Sequence, residues 1–380
     1  MVIGILGGGQ LAKMSLLEAV RMGFDVAIFE GFHNSPAGKL TQFNFSGDIE
    51  NREVLDKFIE ISDVITLENE FIDEGHLSYI ELKGKKVFPS SNTIKLIQDK
   101  FVQKSTLQTA GIPVAPFTEI TQSDSFLSVA KRLGEKFVLK SKKMGYDGYG
   151  NHLVESDSDY KEGLKKLLSR KSELYAEKFI PFVKELAIMV AFNKISHVSY
   201  PVVETEQENH ICKVVIAPAN IEQRVSDKAT EIAISAIKAV NGTGIFGIEF
   251  FLTAENEILV NEMAPRPHNS GHYTIEACVT SQFENHIRAV LNLPLGSTKM
   301  KTDNAVMVNT LGKIKGTGNI TNYEEILEDP DIKIHLYGKE ECKPGRKMGH
   351  ITVTGKDPKT ILNKALKAEE KIKIGINNGK

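Results

Sequence analysis

The sequence predicts a protein of mixed α/β and α+β class in three units, at residues 1–92, 93–290 and 291–380. Three observations carry this. A strand, a glycine turn and an amphipathic helix open the chain and lead into further βα units. A β-rich stretch with few helices fills the middle. Short strands closed by one helix make up the end.

Composition supports several domains and excludes some partners. A chain of 380 residues exceeds one ordinary core. A hydrophobic fraction of 41% and a charged fraction of 25% are those of a soluble globular protein. A net charge of -2 gives no general affinity for nucleic acid or membrane, so any cationic site must be local. Cys212, Cys278 and Cys342 lie far apart, form no paired metal or redox motif, and fit a reducing, cytoplasmic setting. Met1-Val-Ile-Gly-Ile-Leu6 lacks a basic start and reads as a strand, not a signal peptide. No apolar run approaches membrane-spanning length.

The first unit is Rossmann-like. Val2 to Leu6 is a strand, Gly7 to Ala12 a tight turn, Ala12 to Met22 a helix, and Val26 to Glu30 a second strand. Gly7, Gly9 and Ala12 satisfy the dinucleotide fingerprint, with Glu30 near the ribose-binding position. An NAD-dependent oxidoreductase is therefore one reading, a nucleotide-sensing module another, and a scaffold without nucleotide a third. A helix at Arg52 to Ile61 and strands at Val64 to Leu67 and Lys86 to Phe88 continue the pattern. Thr66-Leu-Glu-Asn-Glu70 places carboxylates at a strand end, where open α/β sheets hold ligands.

Beyond Pro89-Ser-Ser-Asn92, a helix beginning near Thr93 carries Lys100, and a second helix spans Ser125 to Leu133. Phe137-Val-Leu-Lys140 sets a lysine in an apolar strand, where an anion is a better partner than solvent. Met144-Gly-Tyr-Asp-Gly-Tyr-Gly-Asn151 follows, a glycine-rich tip able to offer amides to phosphates, although a plain flexible hairpin has the same composition. Leu174 to Phe182 is a strand entering a proline-limited connector whose backbone can meet an adenine edge, and Glu185 can accept from ribose hydroxyls. Strands at Leu186 to Phe192, Val198 to Val203 and Val214 to Ile216 precede a helix at Lys228 to Val240.

Two strands, Ile245 to Leu252 and Ile258 to Met263, then form a hairpin around Glu255-Asn256. Glu249 and Glu262 are equidistant from that turn and should face each other on one side of the sheet. Facing carboxylates need a cation, and with Asn261 as a third oxygen ligand the set suits Mg²⁺. The plain alternative is a hairpin whose acids meet solvent. Ala264-Pro-Arg-Pro-His-Asn-Ser-Gly-His272 is a non-helical loop, so the spacing of His268 and His272 is not that of helical zinc ligands. Its Arg266, His268 and Asn269 make a place for small anions. The last unit has strands at Val306 to Leu311, Ile332 to Tyr337 and His350 to Thr354, and a helix at Pro358 to Ile372. Lys343-Pro-Gly-Arg-Lys347 is a cationic turn: either a solvated surface feature or a grip on a phosphorylated substrate.

A strand lysine, a glycine hairpin, an acidic connector and a two-carboxylate hairpin, in this order, resemble the ATP-grasp superfamily. The first unit would then be its pre-ATP-grasp domain and the last its small C-terminal domain. Gly7-Gly-Gly-Gln-Leu11, Gly145-Tyr-Asp-Gly148, Asn261 to His272 and Pro344-Gly-Arg-Lys-Met-Gly-His350 are similar to the N5-carboxyaminoimidazole ribonucleotide synthetase family over nearly the whole chain. The resemblance implies ATP contacts at Lys100, Lys140, Gly145, Tyr146, Asp147, Gly148, Tyr149, Gly150, Asn151, Glu177, Lys178, Phe179, Ile180 and Glu185, with Gln207, Asn261 and Glu262 added. It implies Mg²⁺ on Glu249 and Glu262, and bicarbonate or carboxyphosphate beside Arg266, His268 and Asn269. Asp147, Lys339, Arg346 and Lys347 would contact aminoimidazole ribonucleotide, with Asp147 orienting and deprotonating its amine.

The implied reaction is ATP- and bicarbonate-dependent carboxylation of that ribonucleotide in de novo purine (IMP) biosynthesis. A related ATP-grasp ligase, such as a formate-dependent glycinamide ribonucleotide transformylase, is the nearest alternative. The sequence departs from the pattern at Lys100, where many relatives carry arginine, at Gln207, where histidine is common, and at Ala12, which replaces a glycine. A homodimer is implied. Because the chain stops at Lys380 without a fused mutase domain, so is a product passed to a separate mutase.

Overall fold

The computed structural model describes the chain except Met144 and residues 146–149, 170–172 and 376–380. Strands β1 (Val2–Leu6), β2 (Asp25–Glu30), β3 (Phe43–Ser46), β4 (Val64–Leu67) and β5 (Lys86–Phe88) form a parallel sheet in the order β3-β2-β1-β4-β5. Helices α1 (Gln10–Arg21), α2 (Arg52–Ile61) and α3 (Glu74–Leu82) cover it, and Ile3, Ile5, Leu55, Phe58 and Leu77 fill the layers. The chain runs outward from β1 to β2 on one side and to β4 on the other, so the crevice between the ends of β1 and β4 is a ligand position. The glycine turn and Glu68 to Glu70 both open onto it. β3 and α3 were not expected: β3 has no fully buried residue, and α3 shows no clean apolar stripe.

The one helix expected near Thr93 is two, α4 (Ser91–Gln98) and α5 (Lys100–Thr109). Asp99 leaves the helical conformation, and its carboxylate accepts from the amides of Phe101 and Val102 at 2.9 and 3.0 Å. Lys100 therefore begins α5 instead of lying inside a helix. A four-stranded antiparallel sheet follows, β6 (Phe117–Glu119), β7 (Phe137–Ser141), β8 (Asn151–Val154) and β9 (Leu174–Lys178), in the order β6-β9-β7-β8. Helices α6 (Phe126–Leu133) and α7 (Asp157–Leu168) pack on it around Phe137, Leu139 and Leu167.

The large sheet begins with β10 (Phe182–Phe192), β11 (His197–Ser199), β12 (Val203–Glu208), β13 (Ile211–Ala217), β14 (Gly244–Thr253) and β15 (Ile258–Ala264). The strand expected from Val198 to Val203 is broken around Pro201, which has no amide hydrogen for a ladder. Helix α8 (Gln223–Ala239) buries Ala229, Ala233 and Ile237 against Phe246, Ile248 and Phe250. Helices α9 (Thr274–Ala277) and α10 (Gln282–Val290) lead to the C-terminal domain. That domain holds β16 (Asn304–Leu311), the two-residue β17 (Gly316–Thr317) and β18 (Ile320–Thr321), α11 (Tyr323–Ile326), β19 (Ile332–Leu336), β20 (Glu341–Cys342), β21 (Lys347–Gly355) and α12 (Pro358–Lys371).

Its main strands do not form a separate layer. β16 pairs with β13, giving one continuous order β15-β14-β10-β12-β13-β16-β21-β19. Among the described residues no helix is long and apolar enough to cross a membrane.

Candidate active site

The hairpin brings Glu249 and Glu262 directly opposite each other, as expected, but by an unexpected route. The turn is centred on Glu255: Thr253 N–H donates to Glu257 O at 3.0 Å, and Asn256 takes a left-handed φ of 62°. That register pairs Leu252 with Ile258 and Phe250 with Val260, and continued unbroken it would place Asn261 opposite Glu249. A β-bulge at Asn261 shifts the pairing by one residue and restores Glu262 to that position. It also brings Asn261 beside the pair, its Nδ2 3.5 Å from Glu249 Oε2.

Burial pushes the Glu249 carboxyl well above the ordinary range, and the negative charges of Glu262 and then Glu185 push it further. Lys100 Nζ lies 2.7 Å from Glu262 Oε1, and His268 Nε2 lies 3.4 Å from Glu249 Oε1. This oxygen-rich, under-neutralised donor set fits Mg²⁺.

Two lysines one turn apart on α5 span the two sheets. Lys100 reaches Glu262 on the large sheet, while Lys104 reaches Glu177 on β9, with 2.7 Å between Nζ and Oε2. Lys140 on β7 donates to the other Glu177 oxygen at 3.0 Å. Glu177 and Lys104 are almost fully buried, at 3% and 2% side-chain exposure. Burial alone would raise the Glu177 carboxyl, but Lys104 and Lys140 hold it below its usual range. The Glu177 side chain, expected among the ATP contacts, thus lies between two lysines at the end of the small sheet. Its carboxylate is occupied in fixing Lys140.

The connector is also less open than expected. Lys178 N–H donates to Pro116 O at 2.8 Å and Phe179 N–H to Lys136 O at 3.2 Å, whereas Ile180 N–H has no backbone partner among the described residues. Burial raises the Glu185 carboxyl while neighbouring Gln207 acts in the opposite sense, so these two expected contacts come together on β10 and β12. Gly150 has a left-handed φ of 97°, and its carbonyl accepts from Ser141 N–H. Asn151 pairs with Lys140 across β7 and β8. Of the remaining loop positions Gly145 is described, whereas Tyr146, Asp147, Gly148 and Tyr149 lie outside the described residues.

The loop after β15 is held from several sides. Gln282 clamps His268 through both backbone groups: its Oε1 accepts from His268 N–H at 3.0 Å and its Nε2 donates to His268 O at 2.8 Å. The ring of His268 lies over Gly247, where a Cβ would come within 2.5 Å of the His268 Cβ. Only glycine fits there. His268 Nδ1 accepts from Ser270 N–H, so Nε2 carries the proton toward Glu249. Burial, then the charge of Arg266, pushes the His268 pKa down to about 3, which keeps the ring neutral.

Arg266 forms a two-pronged ion pair with Glu70 at the end of β4, through Nε to Oε2 and Nη2 to Oε1. Burial alone would raise Glu70, yet the guanidinium holds it at about 2. Asn269 exchanges two amide hydrogen bonds, of 2.9 and 2.6 Å, with Asn309 on β16. One 3₁₀ turn, Asn269–Gly271, interrupts the otherwise non-helical loop.

The cationic turn divides. Lys347 is close enough to Glu249 and His268 to shift both electrostatically, and so belongs to the site. Arg346 spends its guanidinium on the Glu341 carbonyl at the exposed rim, and Lys343 pairs with Glu341. The three cations of the turn therefore have different partners. Lys339 Nζ donates to Lys347 O at 2.7 Å and also faces Glu68 electrostatically, beside the crevice of the first sheet.

The glycine turn does not present a vacant anion site. Gly8 N–H donates to Glu30 Oε2 at 2.8 Å and Leu11 N–H lies 3.4 Å from Glu68 Oε1. A dinucleotide pyrophosphate would meet two carboxylates there, which removes the physical basis of the NAD reading.

Lys104, Gln103 and Gln282 escaped sequence reasoning. Gln103 holds the backbone of Met263, next to Glu262, through two hydrogen bonds of 3.0 Å. The spacing of Lys100 and Lys104 by four residues in a helix was the only available signal.

The chain is similar to known proteins along most of its length. Residues 1–98 match the ribonucleotide synthetase preATP-grasp domain, 105–283 the ATP-grasp domain, and 305–364 the phosphoribosylaminoimidazole carboxylase C-terminal domain. The phosphoribosylaminoimidazole carboxylase of Saccharomyces cerevisiae is 43% identical over 92% of this chain, which spans 63% of that protein's length. The N5-carboxyaminoimidazole ribonucleotide synthetase structure from Thermotoga maritima is 44% identical with a TM-score of 0.88, covering 99% of both chains. A structure of the Aspergillus clavatus synthase in complex with ADP and 5-aminoimidazole ribonucleotide is 38% identical with a TM-score of 0.89, over 97% of this chain and 98% of that one. On these grounds, and on the matching three-part architecture, the chain belongs to the N5-carboxyaminoimidazole ribonucleotide synthetase family of ATP-grasp proteins.

Proposed function

We propose that the protein is an ATP-dependent carbon–nitrogen ligase that carboxylates 5-aminoimidazole ribonucleotide with bicarbonate, through carboxyphosphate, in de novo purine biosynthesis. One observation carries this reading: an under-neutralised carboxylate pair, Glu249 and Glu262, beside a rigid loop that presents His268 and Arg266. Family membership and the ligands of the Aspergillus relative support it.

Lys100 and Lys140 bind the ATP phosphates, with further ATP contacts from Gly145 to Asn151. The Ile180 amide meets the adenine edge, while Glu185 and Gln207 meet the ribose. Glu249 and Glu262 would hold Mg²⁺, which supplies charge neutralisation at the phosphates when bound. Arg266, His268 and Asn269 surround bicarbonate and the acyl phosphate formed from it. Neutral His268 donates through Nε2–H without delivering its proton, and Arg266 stabilises the charge that develops. Lys339 and Lys347 face the ribonucleotide, Arg346 contacts it only from the rim, and Asp147 orients its amine and accepts the proton. We also propose functional divisions at residues 1–92, 93–290 and 291–380, a homodimer in the cytoplasm, and a product passed to a separate mutase.

The test is phosphate release from Mg-ATP with bicarbonate and the ribonucleotide each omitted in turn. Full turnover should require both. Equal release with formate and glycinamide ribonucleotide would reject the assignment.

A further inference from the structure

Behind the loop that carries Arg266 and His268 lies a second cluster that the proposed reaction does not use. His335 on β19 and His350 on β21 are cross-strand partners, with ring centroids 4.4 Å apart. Glu276 on α9 approaches from the preceding domain, its Oε1 2.8 Å from His335 Nε2. One donor atom from each of the three residues lies within 4.8 Å of the others.

The hydrogen bonds within the cluster leave it incomplete. Glu276 Oε2 and His350 Nε2 are buried and have no hydrogen-bond partner, and His350 is 0% exposed. The other nitrogen of His350, Nδ1, is 2.9 Å from the Tyr337 hydroxyl, the outer contact that orients a ligating imidazole. His272, whose ring centroid is 5.0 Å from that of His350, can be assigned a tautomer. Gln282 Oε1 accepts from His268 N–H, so Gln282 Nε2 must donate to His272 Nδ1 at 3.1 Å. The His272 proton is therefore on Nε2, a third buried polar atom without a partner, on a ring next to that of His350.

We propose that Glu276, His335 and His350 form a site for a borderline divalent transition ion of the Zn²⁺ class. Two imidazoles and one carboxylate are a three-ligand set with a position left for water, and His272 Nε2–H is placed beside it to hydrogen-bond that water. Four-coordinate Zn²⁺ with ligand bonds of ~2.0–2.1 Å requires donor atoms roughly 3.3 Å apart. The donor atoms now lie within 4.8 Å of one another, so binding requires the two stacked imidazoles to turn toward a common point. Entry is through His335, whose side chain is 28% exposed. The ion would pin two strands of the C-terminal domain to α9, directly after the loop bearing Arg266 and His268. This site is independent of the Glu249–Glu262 pair, whose oxygen donors select a harder cation.

The experiment is titration of the chelator-stripped, full-length protein with Co²⁺ in excess Mg²⁺, following visible absorption, with Zn²⁺ added as competitor. One equivalent of Co²⁺ should produce intense low-symmetry bands that Zn²⁺ abolishes, and Zn²⁺ should raise the thermal midpoint. Glu276→Gln and His335→Gln should each weaken binding at least roughly tenfold, whereas Glu262→Gln should leave it intact. His335→Gln decides the matter if Glu276→Gln does not fold. The proposal is overturned if no saturable absorption develops, if both cluster variants retain it, or if only Glu262→Gln removes it.

Discussion

The glycine turn after β1 and the hairpin of β14 and β15 both place acidic side chains where phosphate chemistry is expected, yet they are opposite in character. In the turn, Glu30 and Glu68 meet the amides of Gly8 and Leu11, so donors and charge satisfy one another. In the hairpin, Glu249 and Glu262 meet each other, with Lys100, the neutral His268 and the Asn261 amide beside them and Lys347 acting on Glu249 electrostatically. The turn is complete without a ligand, and the hairpin is not. A phosphate-binding fingerprint is therefore best judged by which groups already occupy its amides.

The strongest way to break this comparison is Glu262→Gln. Turnover should fall by ~10³-fold or more, because charge stabilisation at the phosphates is lost. The unliganded protein should nevertheless hold its thermal midpoint or gain, since a like-charge pair is relieved. Steady-state kinetics and thermal unfolding check both halves, and a large loss of stability would mean that the pair is structural.

Arg266→Ala comes next, with kcat lowered by ~10²–10³-fold and Glu70 left buried without its cation. The electrostatic half of that pair can be read alone. Glu70 is depressed from 4.5 to about 2 in the folded state, so its contribution is present above pH 4.5 and is lost as pH falls toward 2. At neutral pH it amounts to about 3 kcal/mol for a group this buried. Glu70→Gln should flatten the acid limb of a stability–pH curve across that window. An unchanged limb would show that the ion pair is not what sets acid stability.

Lys104→Met should have a smaller effect, because Lys140 still neutralises Glu177. ATP affinity should weaken roughly tenfold through misplacement of Lys140, with a stability loss of about 1–3 kcal/mol. Isothermal titration with Mg-ATP measures the first, and an unaltered affinity would remove Lys104 from the positioning role. The smallest effect belongs to the turn. Glu30→Gln should cost about 1 kcal/mol of stability and leave ATP affinity unchanged. A marked loss of ATP binding would collapse the contrast between the two regions.

Much of this site was legible in the sequence because its determinants are local. The hairpin strands, Lys140 on an apolar strand and the proline-broken loop each follow from neighbouring residues. The pairing of Glu249 with Glu262 was also reached, although the bulge at Asn261 was not visible and the assumed turn centre was displaced by half a residue. Long-range contacts were beyond reach. Arg266 and Glu70 are 196 positions apart, and only the packing of the first sheet against the loop unites them. Lys104 on a helix reads as a solvated residue until the small sheet closes over it. The break at Asp99 was missed because a side-chain cap competes with a helical pattern on almost equal terms.

The unbroken sheet from β15 to β19 has a practical consequence for anyone wishing to cut the protein into pieces. A fragment ending before Asn304 would expose the flank of β13, whose Val214, Val215 and Ala217 are buried in the intact chain. Unpaired strand flanks of that kind recruit other strands, so such a fragment should self-associate instead of behaving as a free catalytic module. The segment from Asn304 onward is in this sense a built-in chaperone for the nucleotide-binding part, and the two parts are better exchanged between relatives together than one at a time.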